Sequence, residues 1–156
     1  MTAPGTLRAI APGDVGEVLT LQRAAFVTEA QTHGDPHLPP LTQTLAELRA
    51  ELEDPSCRGW TVREAGRLIA CVRVHVSGDI ADLVRLVVAP DRQGGGIGTR
   101  LLRAAEDWLP PHVREIRLFT GERSHANLRL YERHGYRRTH TTVADGYRLV
   151  HLAKQR

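Results

Sequence analysis

Apolar residues recur along this chain at two spacings, near 3.6 and near 2, and each spacing predicts an element. Residues 7–11 form a short apolar run that Pro12-Gly13 closes, which reads as a strand. Val15, Val18, Leu19, Ala25 and Phe26 then follow at helical spacing, with Asp14 placed to cap them. The breaker-rich segment 32–40 predicts a loop. Leu41, Leu45, Leu48 and Leu52 mark a second helix, in which Thr44 and Glu47 have the spacing of a capping box. From Gly59 the rhythm becomes that of strands: 60–63 and 68–76 around a turn at 64–66, then 80–88. Leu83, Val84, Leu86, Val87 and Val88 suit a strand buried on both faces. Ile97, Leu101, Leu102, Ala105, Trp108 and Leu109 form one helical stripe that Pro110-Pro111 stop. A strand at 116–120, a helix at 124–134 closed by Gly135 as a left-handed cap, and strands at 136–143 and 147–152 complete the pattern. The order is βαα-βββ-αβ-αββ, with no repeat and no internal boundary. It predicts one α/β domain over residues 1–156.

Composition narrows the class. With 41% apolar and 25% charged residues the chain is of globular type. Lys154 is the single lysine among 21 basic residues; the arginines run from Arg8 to Arg156 with 18 acids interleaved. The net charge of +3 therefore reads as a solvated surface rather than a nucleic-acid patch, and it equally suits a small phosphate-bearing ligand. Cys57 and Cys71 form neither a CxxC pair nor a zinc set, and the histidines lack an H-E-x-x-H spacing, so no metal is expected. Without a signal-like leader or a run of about 18 apolar residues, a cytoplasmic protein with no membrane partner is expected.

One stretch resists a purely architectural explanation. Gly94, Gly95, Gly96 and Gly98 fall within five positions, between a predicted strand and a predicted helix. Such a junction exposes unpaired N–H groups backed by the positive end of the helix dipole, and bare glycines let an anion approach them. The P-loop requires Gly-Lys-Ser/Thr, whereas Gly98-Thr99-Arg100 has no lysine; the dinucleotide pattern G-x-G-x-x-G/A finds no register from Gly94 onward.

The stretch Gln93-Gly-Gly-Gly96-Ile-Gly98, preceded by Val88-x-Pro90, resembles the acyl-CoA motif Q/R-x-x-G-x-G/A of the GNAT superfamily of N-acetyltransferases. A second stretch, Asn127-Leu-Arg-Leu-Tyr131-Glu-Arg-His-Gly135-Tyr136, resembles that family's other signature. The resemblance implies a mixed, mostly antiparallel sheet of about seven strands flanked by about four helices. It also implies acetyl-CoA as co-substrate and direct transfer of acetyl to a primary amine in a ternary complex. A non-catalytic module that binds or senses CoA is the alternative. Similar proteins are often dimers, so a homodimer is admitted too.

Carried over residue by residue, the resemblance places the diphosphate of CoA on Gln93, Gly94, Gly95, Gly96, Gly98 and Thr99. The pantetheine arm then lies along Leu86, Val87 and Val88, like an added strand. Asn127 and Tyr131, four apart, share one helix face. The resemblance makes Asn127 a cofactor-ordering residue and Tyr131 the acid that protonates the departing thiolate. A backbone N–H near Val88 would polarise the thioester carbonyl. Asp82, six residues before Val88, is the expected base, acting through a water, with Glu29, His33 and Asp35 as weaker candidates beside the acceptor. Arg92, Arg100 and Arg103 are candidates for the 3′-phosphate. Arg73 and Arg85 suit either an anionic acceptor or internal salt bridges, His75 reads as structural, and Glu106 and Asp107 as solvated. Cys57 and Cys71 lie outside both motifs, which leaves an acyl-cysteine route without support.

Overall fold

The computed structural model describes residues 5–156; the first four residues of the expected domain lie outside them. Seven strands form one sheet in the order β1-β2-β3-β4-β5-β7-β6: β1 (Thr6–Ala9), β2 (Cys57–Glu64), β3 (Arg67–Ser77), β4 (Ile80–Val88), β5 (Glu115–Gly121), β6 (Arg137–Ala144) and β7 (Tyr147–Gln155). Only β4 and β5 run parallel. The mixed, mostly antiparallel sheet is thus the one expected.

Five helices accompany it: α1 (Val15–His33), α2 (Pro39–Thr42), α3 (Leu45–Glu53), α4 (Ile97–Trp108) and α5 (His125–Arg133). The additional one is α2. The segment read as a loop contains a helical turn because Pro39 and Pro40 occupy its first positions, where a missing N–H costs nothing and φ is already helical. Leu41 belongs to that turn, not to α3. The extended backbone of Thr44 separates the two, while its side chain closes the capping box: Glu47 N–H donates to Thr44 Oγ1 at 3.2 Å, and Thr44 N–H donates to Glu47 Oε1 at 2.9 Å. Asp14 does not cap α1 with its side chain; its carboxylate instead accepts from the Ala11 N–H and from Arg63.

The core follows the predicted stripes except at Leu45 and Trp108, which are exposed. Ile97, Leu101, Leu102 and Ala105 of α4 are buried and pack over β2, β3 and β4, while α1 packs on β3 and β4. From Leu68 to Val74 every residue of β3 is buried, which requires cover on both faces of the sheet. Arg73 is among them, fully buried and neutralised by Glu51 through Nε (2.8 Å) and Nη2 (3.3 Å).

Two irregularities of β4 open the sheet at its centre. Cys71 pairs with Val87 and Arg73 with Val84, so on β4 Arg85 and Leu86 together oppose the single residue Val72. This is a β-bulge, and Arg85 adopts a left-handed φ of 55° within it. Moreover, β4 pairs with β5 only from Ile80 to Asp82; beyond that the strands part, and β5 continues against β7 to Gly121.

Candidate active site

Two adjoining cavities occupy the opening between β4 and β5. The first, of about 570 Å³, is lined on one side by Leu86, Val87 and Val88 and on another by Gln93, Gly94, Gly96, Gly98 and Thr99. Gly94 and Gly96 have φ near +84° and +82°, a conformation that a side chain rarely adopts, and the space around each is empty. Gly96 caps α4 without a side-chain contact, and the Arg100 N–H is the first in this loop to find a backbone acceptor, Gly96 O at 3.2 Å. The loop amides that precede it have no backbone acceptor, as at any helix N-terminus. Gly95 alone among the expected loop residues does not line this space. Gln93 lies at its edge and donates through Nε2 to Val88 O at 3.2 Å, tying the loop to the end of β4.

The candidate cations are differently distributed from expectation. Arg92 pairs with Glu64, Arg100 donates to Gly5 O at 2.8 Å, and Arg103 is exposed on α4 outside the cavity. Instead Arg123, Arg129 and Arg133 border the cavity. The four-residue spacing of His125, Arg129 and Arg133, which puts them on one face of α5, is the signal in the sequence that points to Arg129 and Arg133.

The second cavity, of about 740 Å³, adjoins the first: Phe26, Glu29, Leu86 and Asn127 line both. Tyr131 lines the second and is 5% exposed. Burial, with the Glu29 charge adding to it, raises its phenol well above the usual range, so at neutral pH it holds its proton. Asn127, one helical turn earlier, donates weakly to Thr120 Oγ1 at 3.5 Å.

Glu29 owes its place to the length of α1. Near the C-terminus of that helix it faces the start of α5, where the Ser124 hydroxyl donates to its carboxylate at 2.6 Å. His33, one turn on, has a side chain only 1% exposed with both ring nitrogens engaged: Nδ1 lies 3.0 Å from Glu29 O, and Nε2 lies 3.1 Å from the Arg123 N–H. Nε2 accepts from that amide, which leaves Nδ1 as the donor to Glu29 O. His33 borders the cavity but is a strut between α1 and the β5–α5 connection. Asp35 is likewise occupied, accepting from the Tyr147 hydroxyl at 2.8 Å and the His37 N–H at 3.0 Å; burial and this bond push the Tyr147 phenol up to about 12.

Asp82 lies elsewhere. It is exposed on β4, across from His75 on β3 and Arg117 on β5, and lines neither cavity. Counting back six residues from Val88 lands in the closed, fully paired part of the β4–β5 junction. The cleft begins only at Leu83. His75 binds Glu51 Oε2 at 2.9 Å, as a structural histidine would. Glu106 is not simply solvated, since it accepts from Lys154 Nζ at 2.6 Å. Glu51, Cys57 and His75 do bring one ligand atom each within 4.8 Å of one another, a group assembled by the Cys57–His75 register. Both Glu51 oxygens are already engaged there by Arg73, His75 and Gln43. Among the described residues no helix is long and apolar enough to cross a membrane.

Comparison with known proteins agrees with this geometry. Residues 18–136 match the model of the Acetyltransferase (GNAT) family. Solved structures of similar fold include the PaiA N-acetyltransferase of Thermoplasma acidophilum in complex with coenzyme A (TM-score 0.77, 15% identity, 97% of this chain and 98% of that one). The ribosomal-protein-S18-alanine N-acetyltransferase of Escherichia coli is similar as well (TM-score 0.79, 19% identity, 97% and 93%). So is the spermidine N-acetyltransferase of Vibrio cholerae in complex with CoA and spermine (TM-score 0.75, 20% identity, 96% and 94%). A curated relative, the UPF0157 protein YqkA of Bacillus subtilis, is 27% identical over 128 residues; the match takes in 82% of this chain and 36% of that protein. With the family model spanning both motifs, the chain belongs to the acetyltransferase (GNAT) family.

Proposed function

We propose that this single domain binds acetyl-CoA along the first cavity and transfers its acetyl group directly to a primary amine held in the second. The observation that carries this reading is the junction of the two cavities at Phe26, Glu29, Leu86 and Asn127, where β4 and β5 part and where Tyr131 stands alongside. The thioester supplies an electrophilic carbonyl carbon and a thiolate leaving group. The amides of the 94–99 loop hold the diphosphate, and the unpaired edge of β4 beyond Asp82 offers backbone groups to the pantetheine amides. Glu29, whose carboxylate reaches the junction from α1, takes the proton that the arriving ammonium must lose before nitrogen can attack. As the new C–N bond forms and the C–S bond breaks, Tyr131 gives its proton to sulfur, and the second proton that the nitrogen sheds restores the phenol. A phenol that stays protonated by burial is suited to that single donation.

The solved structures of similar fold are named for acceptors as different as spermidine and a ribosomal-protein alanine. What they support is an amine acceptor in general. Tyr131→Phe tests the proposal: kcat should fall by about 10²–10⁴-fold while acetyl-CoA affinity stays within about twofold, as for loss of a general acid. An unchanged kcat would remove Tyr131 from the mechanism. A folded wild-type protein that binds acetyl-CoA yet releases no CoA with any amine would favour the non-catalytic module.

A further inference from the structure

The second cavity contains one cation that the fold leaves without a partner. Arg85 lines it from the bulge in β4. Among the described residues its guanidinium makes no ion pair or hydrogen bond, and its Nε is buried without an acceptor. The contrast with Arg73 across the bulge is direct. Arg73 is saturated by Glu51 and by Gln22 Oε1 at 3.0 Å, and with Gln43 and His75 also on Glu51, no carboxylate oxygen there remains for Arg85. Of the acids lining the cavity, Asp35 accepts from Tyr147 and His37 and Glu29 from Ser124, and among the described residues neither these nor Asp145 pairs with Arg85.

The position is also held at a cost. A non-glycine residue at φ 55° is strained, and regular pairing of β4 with β3 would have avoided it. What the bulge achieves is to break the alternation of β4, so that Leu83, Val84, Arg85 and Leu86 all border one cavity. Burial first, and the nearby Arg73 charge second, disfavour the cationic form of Arg85. A planar fork of donors kept unpaired inside a ligand cavity is built for an oxyanion from outside.

We propose that the acceptor is an amine that also carries an oxyanion, a carboxylate or a phosphonate-like group, bound by Arg85 while its nitrogen is presented to Glu29. The inference rests on the transferase reading for the identity of the ligand as an acceptor. Phe26, Leu38, Val84 and Phe119 along the same cavity suit an apolar body between the two charged ends. A polyamine fits poorly, since a further ammonium would meet Arg85 in place of a counter-ion.

The test pairs charged amines with neutral counterparts: leucine, methionine and phenylalanine with their amides, and 2-aminoethylphosphonate with its diethyl ester. For wild-type protein, kcat/KM for at least one acid should exceed that of its neutral partner by about tenfold or more, and in Arg85→Gln the preference should collapse to within about threefold. Arg85→Lys, which keeps the charge and loses the fork, should fall between them. Acetyl-CoA affinity, equal in all three proteins, certifies the fold. Calorimetry of the N-acetylated acids and amides on CoA-saturated protein separates this inference from the transferase reading, because it needs no turnover. Acids binding more tightly than amides, with the difference lost in Arg85→Gln, uphold the oxyanion site even where no amine is acetylated. Equal binding of acid and amide, binding of neither, or a preference that survives Arg85→Gln overturns it.

Discussion

Gly121→Ala isolates the contact that fixes the far side of the cleft. The backbone of Gly121 is not in the left-handed region, so alanine meets no conformational penalty there. Its methyl group, however, would overlap Nε2 and Cε1 of His33 and stand 3.1 Å from Cδ2. The ring would have to retreat by about an ångström to restore ordinary contact, and it has nowhere to go. Its side chain is 1% exposed, its Nδ1 and Nε2 are bonded at 3.0 and 3.1 Å, and the Tyr147 ring lies 4.8 Å away, centroid to centroid. Overpacking of this kind costs about 1–3 kcal/mol, and stranding the Arg123 N–H costs about 1–3 kcal/mol more. Because relaxation shares the two, we expect a net loss of about 2–4 kcal/mol. Urea unfolding of wild type, Gly121→Ala, His33→Ala and the double variant gives the cycle. With the ring removed, the added methyl should cost under about 0.5 kcal/mol, so that most of the loss reappears as coupling energy. A single variant as stable as wild type, or one equally destabilised on the His33→Ala background, would refute the assignment of His33 as the strut of the cleft.

The glycine loop and the buried charge cluster give two more. Gly98→Ala leaves ordinary contact, 3.6 Å to Leu130, and improves helix propensity; stability should hold or rise by up to about 1 kcal/mol while acetyl-CoA affinity falls, whereas Gly96→Ala, at φ +82°, should lose both. Calorimetry and thermal unfolding of the two variants separate these outcomes. Burial alone would raise the Glu51 carboxyl, but hydrogen bonds from His75, Arg73 and Gln43 and the Arg73 charge hold it down at about 2. A lowered carboxyl contributes stability that is present above its ordinary 4.5 and lost as pH falls toward 2. Wild type should lose about 2 kcal/mol across that window, and Glu51→Gln, less stable at pH 7, should show a flatter acid limb. Parallel acid limbs would contradict this.

Local signals in the sequence specify most of the architecture. The Thr44–Glu47 box, the Gly135 cap and the stripe of α4 are short-range patterns, legible because a turn or two of chain contains every group involved. The loop glycines are legible for the same reason. What cannot be read there depends on register between distant segments. The bulge that turns Arg85 into the cavity and the parting of β4 from β5 beyond Asp82 are properties of three strands together. Sequence alone therefore puts Asp82 in the cleft and does not tell Arg85 from Arg73. Glu29 reaches Ser124 across 95 positions of sequence, and nothing local to α1 announces that partner. The turn at Pro39–Thr42 is legible in principle, since paired prolines can open a helix as well as forbid one.

The central claim is that the main-chain donors between Gly94 and Thr99 grip a diphosphate and so present a thioester beside Tyr131. An amide-resolved NMR titration with CoA tests it most directly. Saturable displacement of the Gly94, Gly96, Gly98 and Thr99 resonances, with Leu86 to Val88 moving at the same concentration and Asp82 unmoved, is the predicted result. Binding that leaves those loop amides in place, or no binding by folded protein, would contradict it.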